Sequence, residues 1–535
     1  MTASENSVKL SKDKQRMLRG SILMTLSPVS ALFLGIVISL LIDAYIPPQN
    51  YAIYQWFNVF YTLFGALIIF RLPTALQYRI ASAKGSDHTE ELQKLMKTNT
   101  ILALILTPLS GIISFLAIPV LLDLFLLSGQ YFMVDVLICA LGIMALTLST
   151  FAVSAYKGLQ EFEVVGIGQF VSNLIGQLAV IILIVVGVGY LGIVSLGVQA
   201  LLYKWIVVGV LTTMILTVAV RKSWTLKGST YPFKPLVKFA APLITSFIFV
   251  FIFSELLVML FLNPFQEELG LYGFAVRIAN FVNALTLGFY GALSSFYAQS
   301  YGKGDCENLE KDVGWTMKIS VFLFLPMVIG AMIISPAIFL ILFPNYYWAY
   351  QYFIILLFKV ILFLFRKPYL DIINVRGKSN LVLIIQVIAS MLSGVLMFLA
   401  FSFGPLIMAY GLIDNALLLV VLAYILNNLF ISIFAAIVIK RDIGIKLGIR
   451  GVLPLLLIGF LIIPTAMIIH FLYLPPLLEL AIIIPLGVII YLLPIRYLRI
   501  ISEKEIRKAS QFLPRRFASS FASIIVRLFV RNSDN

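Results

Sequence analysis

Asn263-Pro264-Phe265-Gln266-Glu267-Glu268-Leu269-Gly270-Leu271-Tyr272-Gly273, followed after a long apolar run by Gly302-Lys303-Gly304-Asp305 and Asn308-Leu309, decides how the chain is built. Residues 238–309 read as a second printing of residues 19–92. In the later copy an apolar helix with an early proline, Pro242, leads into the quoted loop, and a second apolar helix opens at Leu271. In the earlier copy Pro28 marks the first apolar run, a loop covers 43–50, and Ala52-Ile53-Tyr54 opens the next helix. That helix closes on Lys84-Gly85-Ser86-Asp87, with Glu91-Leu92 beyond. Tyr54 to Tyr272 and Asp87 to Asp305 are both steps of 218 residues. Helix pairs in lipid resemble one another by composition, so the agreement of two unrelated landmarks on one period carries the argument. It points to internal duplication of a multi-helix unit, a common plan among membrane transporters.

Hydrophobic residues make up 61% of the chain and charged residues 12%, more apolar matter than a soluble domain of this length needs for a core. The chain therefore reads as an all-α, polytopic membrane protein. Two cysteines, Cys139 and Cys306, and two histidines, His88 and His470, leave no disulfide framework and no zinc cluster, so no metal and no cofactor are expected.

Apolar runs of about 20 residues place spans near 20–42, 51–81, 98–127, 133–156, 164–187 and 193–220. A second six lie near 236–262, 271–300, 317–343, 350–372, 381–403 and 413–439, and two more near 453–472 and 478–498. The domain plan is a cytoplasmic N-terminal segment (1–19), a first six-helix half (20–220), a linker (221–235), a second half (236–439), two additional helices (453–498) and a basic tail (499–535). Loops 43–50, 128–132, 188–192, 263–270, 344–349, 404–412 and 473–477 contain no lysine or arginine, whereas the opposite loops and the termini hold 29 of the 39. Cytoplasmic loops retain these residues, so both termini are expected in the cytoplasm. The net charge of +15 is then largely topology rather than an address for nucleic acid. With six spans per half, the repeats should be related by a pseudo-twofold axis along the membrane normal. In the tail, Phe517, Phe521, Ile524, Ile525, Leu528 and Phe529 recur at helical spacing with Arg527 and Arg531 between them. Such a helix can lie on anionic inner-leaflet lipids or dock on the protein's own loops.

A charge near the middle of a span costs roughly 2.5–3.5 kcal/mol on insertion scales and needs a partner, a wet cavity or an escape route. The deep cations are Arg71, Lys204, Arg277 and Lys359; the deep anions are Asp135 and Glu255. Arg79, Lys238, Arg366, Lys367 and Asp371 lie near cytoplasmic ends, where they can snorkel. On span 8, Arg277, Asn280, Asn283, Ala284, Gly288, Gly291, Ser294 and Ser295 share one helical face. Such a stripe suits either the wall of a water-filled cavity or a tight helix contact. On span 2, Tyr54, Asn58, Tyr61 and Gly65 share a face, from which Arg71 diverges unless Pro73 kinks the helix. Tyr352, Lys359 and Arg366 stack at steps of seven on span 10. A positive interior admits an anion, with phosphate or diphosphate the guest that arginine's paired donors suit. Asp135 and Glu255 can neutralise neighbours or bind a coupling proton or sodium. Arg376-Gly377-Lys378-Ser379 ends like a Walker A loop, but Ile372 stands where its first glycine belongs, so no ATP hydrolysis is encoded there.

Four motifs in order carry a family resemblance: Asn50-Tyr51-Ala52-Ile53-Tyr54, Arg79-Ile80-Ala81, Tyr156-Lys157-Gly158-Leu159-Gln160-Glu161-Phe162 and Phe239-Ala240-Ala241-Pro242-Leu243. With them the chain resembles the polysaccharide-biosynthesis branch of the multidrug, oligosaccharidyl-lipid and polysaccharide exporter superfamily. The resemblance implies a non-enzymatic, monomeric flippase of the cell membrane. It would move an isoprenoid-diphosphate-linked oligosaccharide to the outer leaflet by alternating access, with glycan-assembly enzymes as candidate partners. Arg71, Arg277, Asn280, Asn283 and Lys359 would then face substrate. A cation-coupled exporter of amphipathic small molecules and an integral membrane glycan enzyme stand as alternatives.

The orientation is checked by cysteine labelling: single cysteines in the seven lysine-free and arginine-free loops should react with an impermeant reagent in intact cells. Cysteines in 82–97 should react only after permeabilisation.

Overall fold

The computed structural model describes residues 33–85, 88–125, 131–159, 161–193, 195–219, 228–302, 306–375, 378–409, 417–443, 452–470, 475–498 and 500. The start of the first span, the landmarks Asp87 and Asp305, and the amphipathic tail lie outside them. Among the described residues there is no strand, and nine helical stretches are long and apolar enough to cross a membrane. The expected all-α polytopic architecture is what forms.

The described residues gather into two compact units, one ending at Phe274 and the other beginning at Ala275. The first contains α1 (Phe33–Tyr45), α2 (Pro48–Leu67), α3 (Leu72–Gly85), α4 (Thr89–Leu124), α5 (Met133–Gly158) and α6 (Phe162–Leu183). It continues through α7 (Ser195–Ala219), α8 (Phe233–Val250), α9 (Leu257–Leu262) and the opening turns of α10 (Gln266–Gly302). Leu72, Leu76 and Ile80 of α3 form a core with Leu95 and Met96 of α4, Phe151 of α5, and Leu236 and Ala240 of α8. Where helices must approach closely the sequence supplies glycine: a Cβ on Gly209 of α7 would stand 2.6 Å from the Ala145 carbonyl carbon of α5.

The end of this unit where α2 and α10 begin is tied by side chains. Trp56 Nε1 donates to Asn263 Oδ1 (3.0 Å), and Asn263 Nδ2 donates to the Phe125 carbonyl (2.8 Å). Phe125 follows the last turn of α4, where carbonyls lack intrahelical donors. Gln49 donates to Glu267 (3.4 Å), and the Gln55 side chain lies over Gly273, leaving no room there for a Cβ.

Span 2 is broken rather than continuous. α2 stops at Leu67, and Phe70 and Arg71 take φ of 50° and 54° before α3 restarts with Pro73 in its first turn. Proline there needs no donor and has the right φ, so it favours a new helix start over continuation. Span 13 is likewise divided, into α15 (Leu453–Phe460) and α16 (Ile462–His470). Wider π turns follow α6 at Ile184–Tyr190 and join α8 to α9 at Phe251–Leu256.

The second unit comprises the rest of α10, α11 (Cys306–Leu342), α12 (Ala349–Val375), α13 (Ser379–Ala409), α14 (Leu417–Val438), α15, α16 and α17 (Pro476–Tyr497). The last three pack on α11. Two prolines inside this unit each free a carbonyl four residues earlier, and a tyrosine from another helix takes each one. Pro368 frees Leu364, whose carbonyl accepts from Tyr290 OH of α10 (2.6 Å). Pro326 frees Phe322, whose carbonyl accepts from Tyr491 OH of α17 (3.1 Å). Both hydroxyls belong to buried tyrosines.

Leaving a buried carbonyl without a donor costs about 1–3 kcal/mol. Tyr491→Phe should therefore lower stability by about that amount in detergent unfolding. In a Pro326→Ala background, where residue 326 regains its own amide, the same change should cost measurably less.

Candidate functional site

In the first unit Arg71 stands at the break between α2 and α3. Its guanidinium carbon lies 4.9 Å from the ring centroid of Phe247 on α8. No acidic residue pairs with it among the described residues, so the charge is held by an aromatic face and left un-neutralised. The helix is interrupted at Phe70 and Arg71, where the sequence predicts a kink at Pro73, and the ring contact of Arg71 is with α8 rather than with the neighbours of Tyr54 and Tyr61. Tyr54 and Tyr61 share a face as expected, and both rings stack on Trp205 of α7, at 5.7 and 4.2 Å between centroids.

Asp135 is held at the start of α5. It occupies the third position of α5; one oxygen accepts from the Phe132 amide (3.2 Å) and the other from Gln199 Nε2 on α7 (2.9 Å). The carboxylate thus closes the N-terminus of one helix and ties it to another. Glu255 lies in the π turn Phe251–Leu256 with its side chain exposed, and no hydrogen bond or ion pair joins Arg71, Asp135 and Glu255 among the described residues.

In the second unit Arg277 is half-buried, 6.0 Å from the Phe281 ring centroid. Asn280 is exposed; Asn283 is half-buried and accepts Thr286 Oγ1 at its carbonyl (2.8 Å). The side chains at 288, 291, 294 and 295 lie outside the described residues. Lys359 of α12 donates to Tyr424 OH of α14, with Nζ 4.5 Å from the ring centroid. Seven residues on, Arg366 Nη1 donates to Asn428 Oδ1 of α14. Arg366 therefore reaches into a helix interface rather than snorkelling, because a buried amide stands within its reach. Lys367 does find an acid, Asp371, one turn away at 2.5 Å.

Phe247, Tyr424 and Asn428 went unread in the sequence. Phe247 gives no signal, being one phenylalanine among 42. The adjacent Asn427-Asn428 pair does, since two buried amides within an apolar span are polar groups that need a reason.

A family model described as polysaccharide biosynthesis protein matches residues 17–293, more than half of the chain. The chain belongs to that family. The resemblance drawn from its motifs is borne out, and a second model, MatE, matches residues 242–400. No curated protein sequence matches the chain. Among solved structures, the lipid II flippase MurJ in an inward closed conformation is similar with a TM-score of 0.62 at 15% identity, over 89% of this chain and 100% of that one. An inward-facing multidrug resistance MATE family transporter of the MOP superfamily gives 0.58 at 17%, over 79% and 98%. A MOP superfamily transporter from Pyrococcus furiosus, described by a reversed polarity of its binding pocket, gives 0.57 at 16%, over 80% and 96%. At these identities the likeness is one of fold: this family member has the polytopic fold of membrane transporters.

The role assigned to Asp135 has a direct check. Asp135→Asn should lower thermal stability, since an amide nitrogen then faces the Gln199 donor, and adding Gln199→Glu should restore it. An ion-binding role predicts no such rescue and a changed dependence of transport on sodium or proton.

Proposed function

We propose that the protein flips an isoprenoid-diphosphate-linked oligosaccharide from the cytoplasmic to the outer leaflet of the cell membrane by alternating access, with both termini cytoplasmic. The family membership supports a glycan precursor as cargo. The observation that carries the diphosphate is Arg71: a cation at a break within an apolar span, resting on an aromatic ring, with no carboxylate partner among the described residues. A structural ion pair would have neutralised it; an incoming anion does so only when substrate is present. Arg277 and Lys359 are assigned to phosphate groups of the substrate, and Asn280 and Asn283 to its polar groups. The two six-helix halves are the bodies that alternate, and the tail lies against anionic inner-leaflet lipids.

Cation-coupled export of amphipathic small molecules is the second reading. It is favoured by the MatE match and by the exposed carboxylate of Glu255 within an apolar span. Asp135 and Glu255 are the acids assigned to ion coupling under either reading, Glu255 being the exposed one.

Arg71→Gly separates folding from transport. A non-glycine residue at positive φ costs about 1–2 kcal/mol, so glycine at position 71 should leave the protein as stable or more stable. Translocation of a fluorescent lipid-diphosphate-sugar in proteoliposomes should nonetheless be lost. A stable Arg71→Gly protein that flips at the wild-type rate removes Arg71 from the site. Transport of amphipathic cations by the wild type, without translocation of the lipid-linked sugar, decides for the second reading.

A further inference from the structure

Arg366 makes neutral contacts in a place where a charge needs more. Its Nη1 donates to the Asn428 amide oxygen, and its guanidinium carbon lies 5.8 Å from the Phe363 ring centroid. No acidic residue pairs with it among the described residues, although Lys367 beside it holds Asp371. Its Nε is buried and has no acceptor among the described residues. A clamp between two helices would need only an amide on each side. A guanidinium with an unfilled donor and an uncompensated charge is instead suited to an oxyanion, which can take Nε–H together with the charge.

The position adds a mechanical reason. Arg366 lies within the turn from Leu364 to Pro368, where proline has removed the backbone hydrogen bond and Tyr290 holds the freed carbonyl. A turn without its own hydrogen bond can adjust its side chains at less cost than a regular one. The pairings Lys359–Tyr424 and Arg366–Asn428 rise together in number, so α12 and α14 run parallel and present two cations in register. Seven residues separate those cations along α12, about 10 Å.

We propose that Arg366, with Asn428 as its placeholder, is a phosphate-binding station distinct from Lys359, the more cytoplasmic of two steps along which an anionic group passes. Its ligand is a phosphate or diphosphate group, whether on a lipid-linked sugar or on a bilayer lipid. The site rests on the flippase reading for its purpose but not for its chemistry, because Asn428 fills the oxyanion's place only while none is bound.

The test uses full-length protein in detergent with inorganic pyrophosphate as the probe, read by calorimetry and by thermal shift. Wild type should bind, and Arg366→Gln should weaken binding about tenfold or more. Asn428→Asp supplies an internal carboxylate: it should fold at least as stably and also lose pyrophosphate binding, which keeps the test open if Arg366→Gln fails to fold. Repeating the titration in nanodiscs separates the sources, since competition by phosphatidylglycerol over phosphatidylcholine identifies a lipid headgroup and its absence a diphosphate substrate. No binding by wild type, or wild-type affinity in a folded Arg366→Gln or Asn428→Asp protein, overturns the station. If wild type also translocates lipid-linked sugar, the flippase reading survives that result. Loss of binding in both variants, in a protein that translocates no such lipid, keeps the station and removes that reading.

Discussion

A chain in hydrocarbon has no water to complete its hydrogen bonds, so every irregularity in a span must be satisfied by protein. The second unit meets this demand twice with one device. Pro326 and Pro368 each free a carbonyl, and Tyr491 and Tyr290 reach in from neighbouring helices to donate to them. The same constraint governs the break in span 2. Through it the backbone keeps short-range bonds, Phe70 to Leu67 (3.1 Å) and Leu72 to Ile69 (2.9 Å), so the turn at Phe70 and Arg71 leaves these amides paired. At Pro326 and Pro368 the freed carbonyl is where a neighbouring helix is joined.

Charge is handled by the opposite rule. Asp135 accepts from the Phe132 amide and from Gln199, which closes the start of α5 and ties it to α7. Arg71 and Arg366 have aromatic rings and an amide, partners that hold a side chain in place without cancelling its charge. The difference lies in partner chemistry rather than in depth along the span.

Much of the fold was legible in the sequence because span length and the placement of lysine and arginine are imposed by the bilayer and do not depend on packing. Each of the fourteen expected spans coincides with described helix, wholly or in part. What the residues could not reveal was how a helix is held. Pro73 signalled a kink, but the left-handed pair at Phe70 and Arg71 depends on how α3 packs. Depth along a span assigned Arg366 to the interface, while its actual partner, Asn428, lies 62 positions away on another helix. The stripe on α10 was legible as a pattern, and its Arg277, Asn280 and Asn283 are exposed or half-buried.

Two contacts in the first unit join positions that stand one sequence period apart. Gln49 and Glu267 stand 218 residues apart, as do Gln55 and Gly273, so each of these residues touches its own counterpart in the other repeat. Counterparts meet only beside a twofold axis, as in a symmetric homodimer. Two identical chains would have set glutamine against glutamine, or glycine against glycine. The amide now facing a carboxylate, and the side chain now filling the space over a glycine, are pairings that a dimer of equals could not make. Within one chain the two positions of each pair can differ, so an amide can face a carboxylate and a long side chain can fill the space over a glycine.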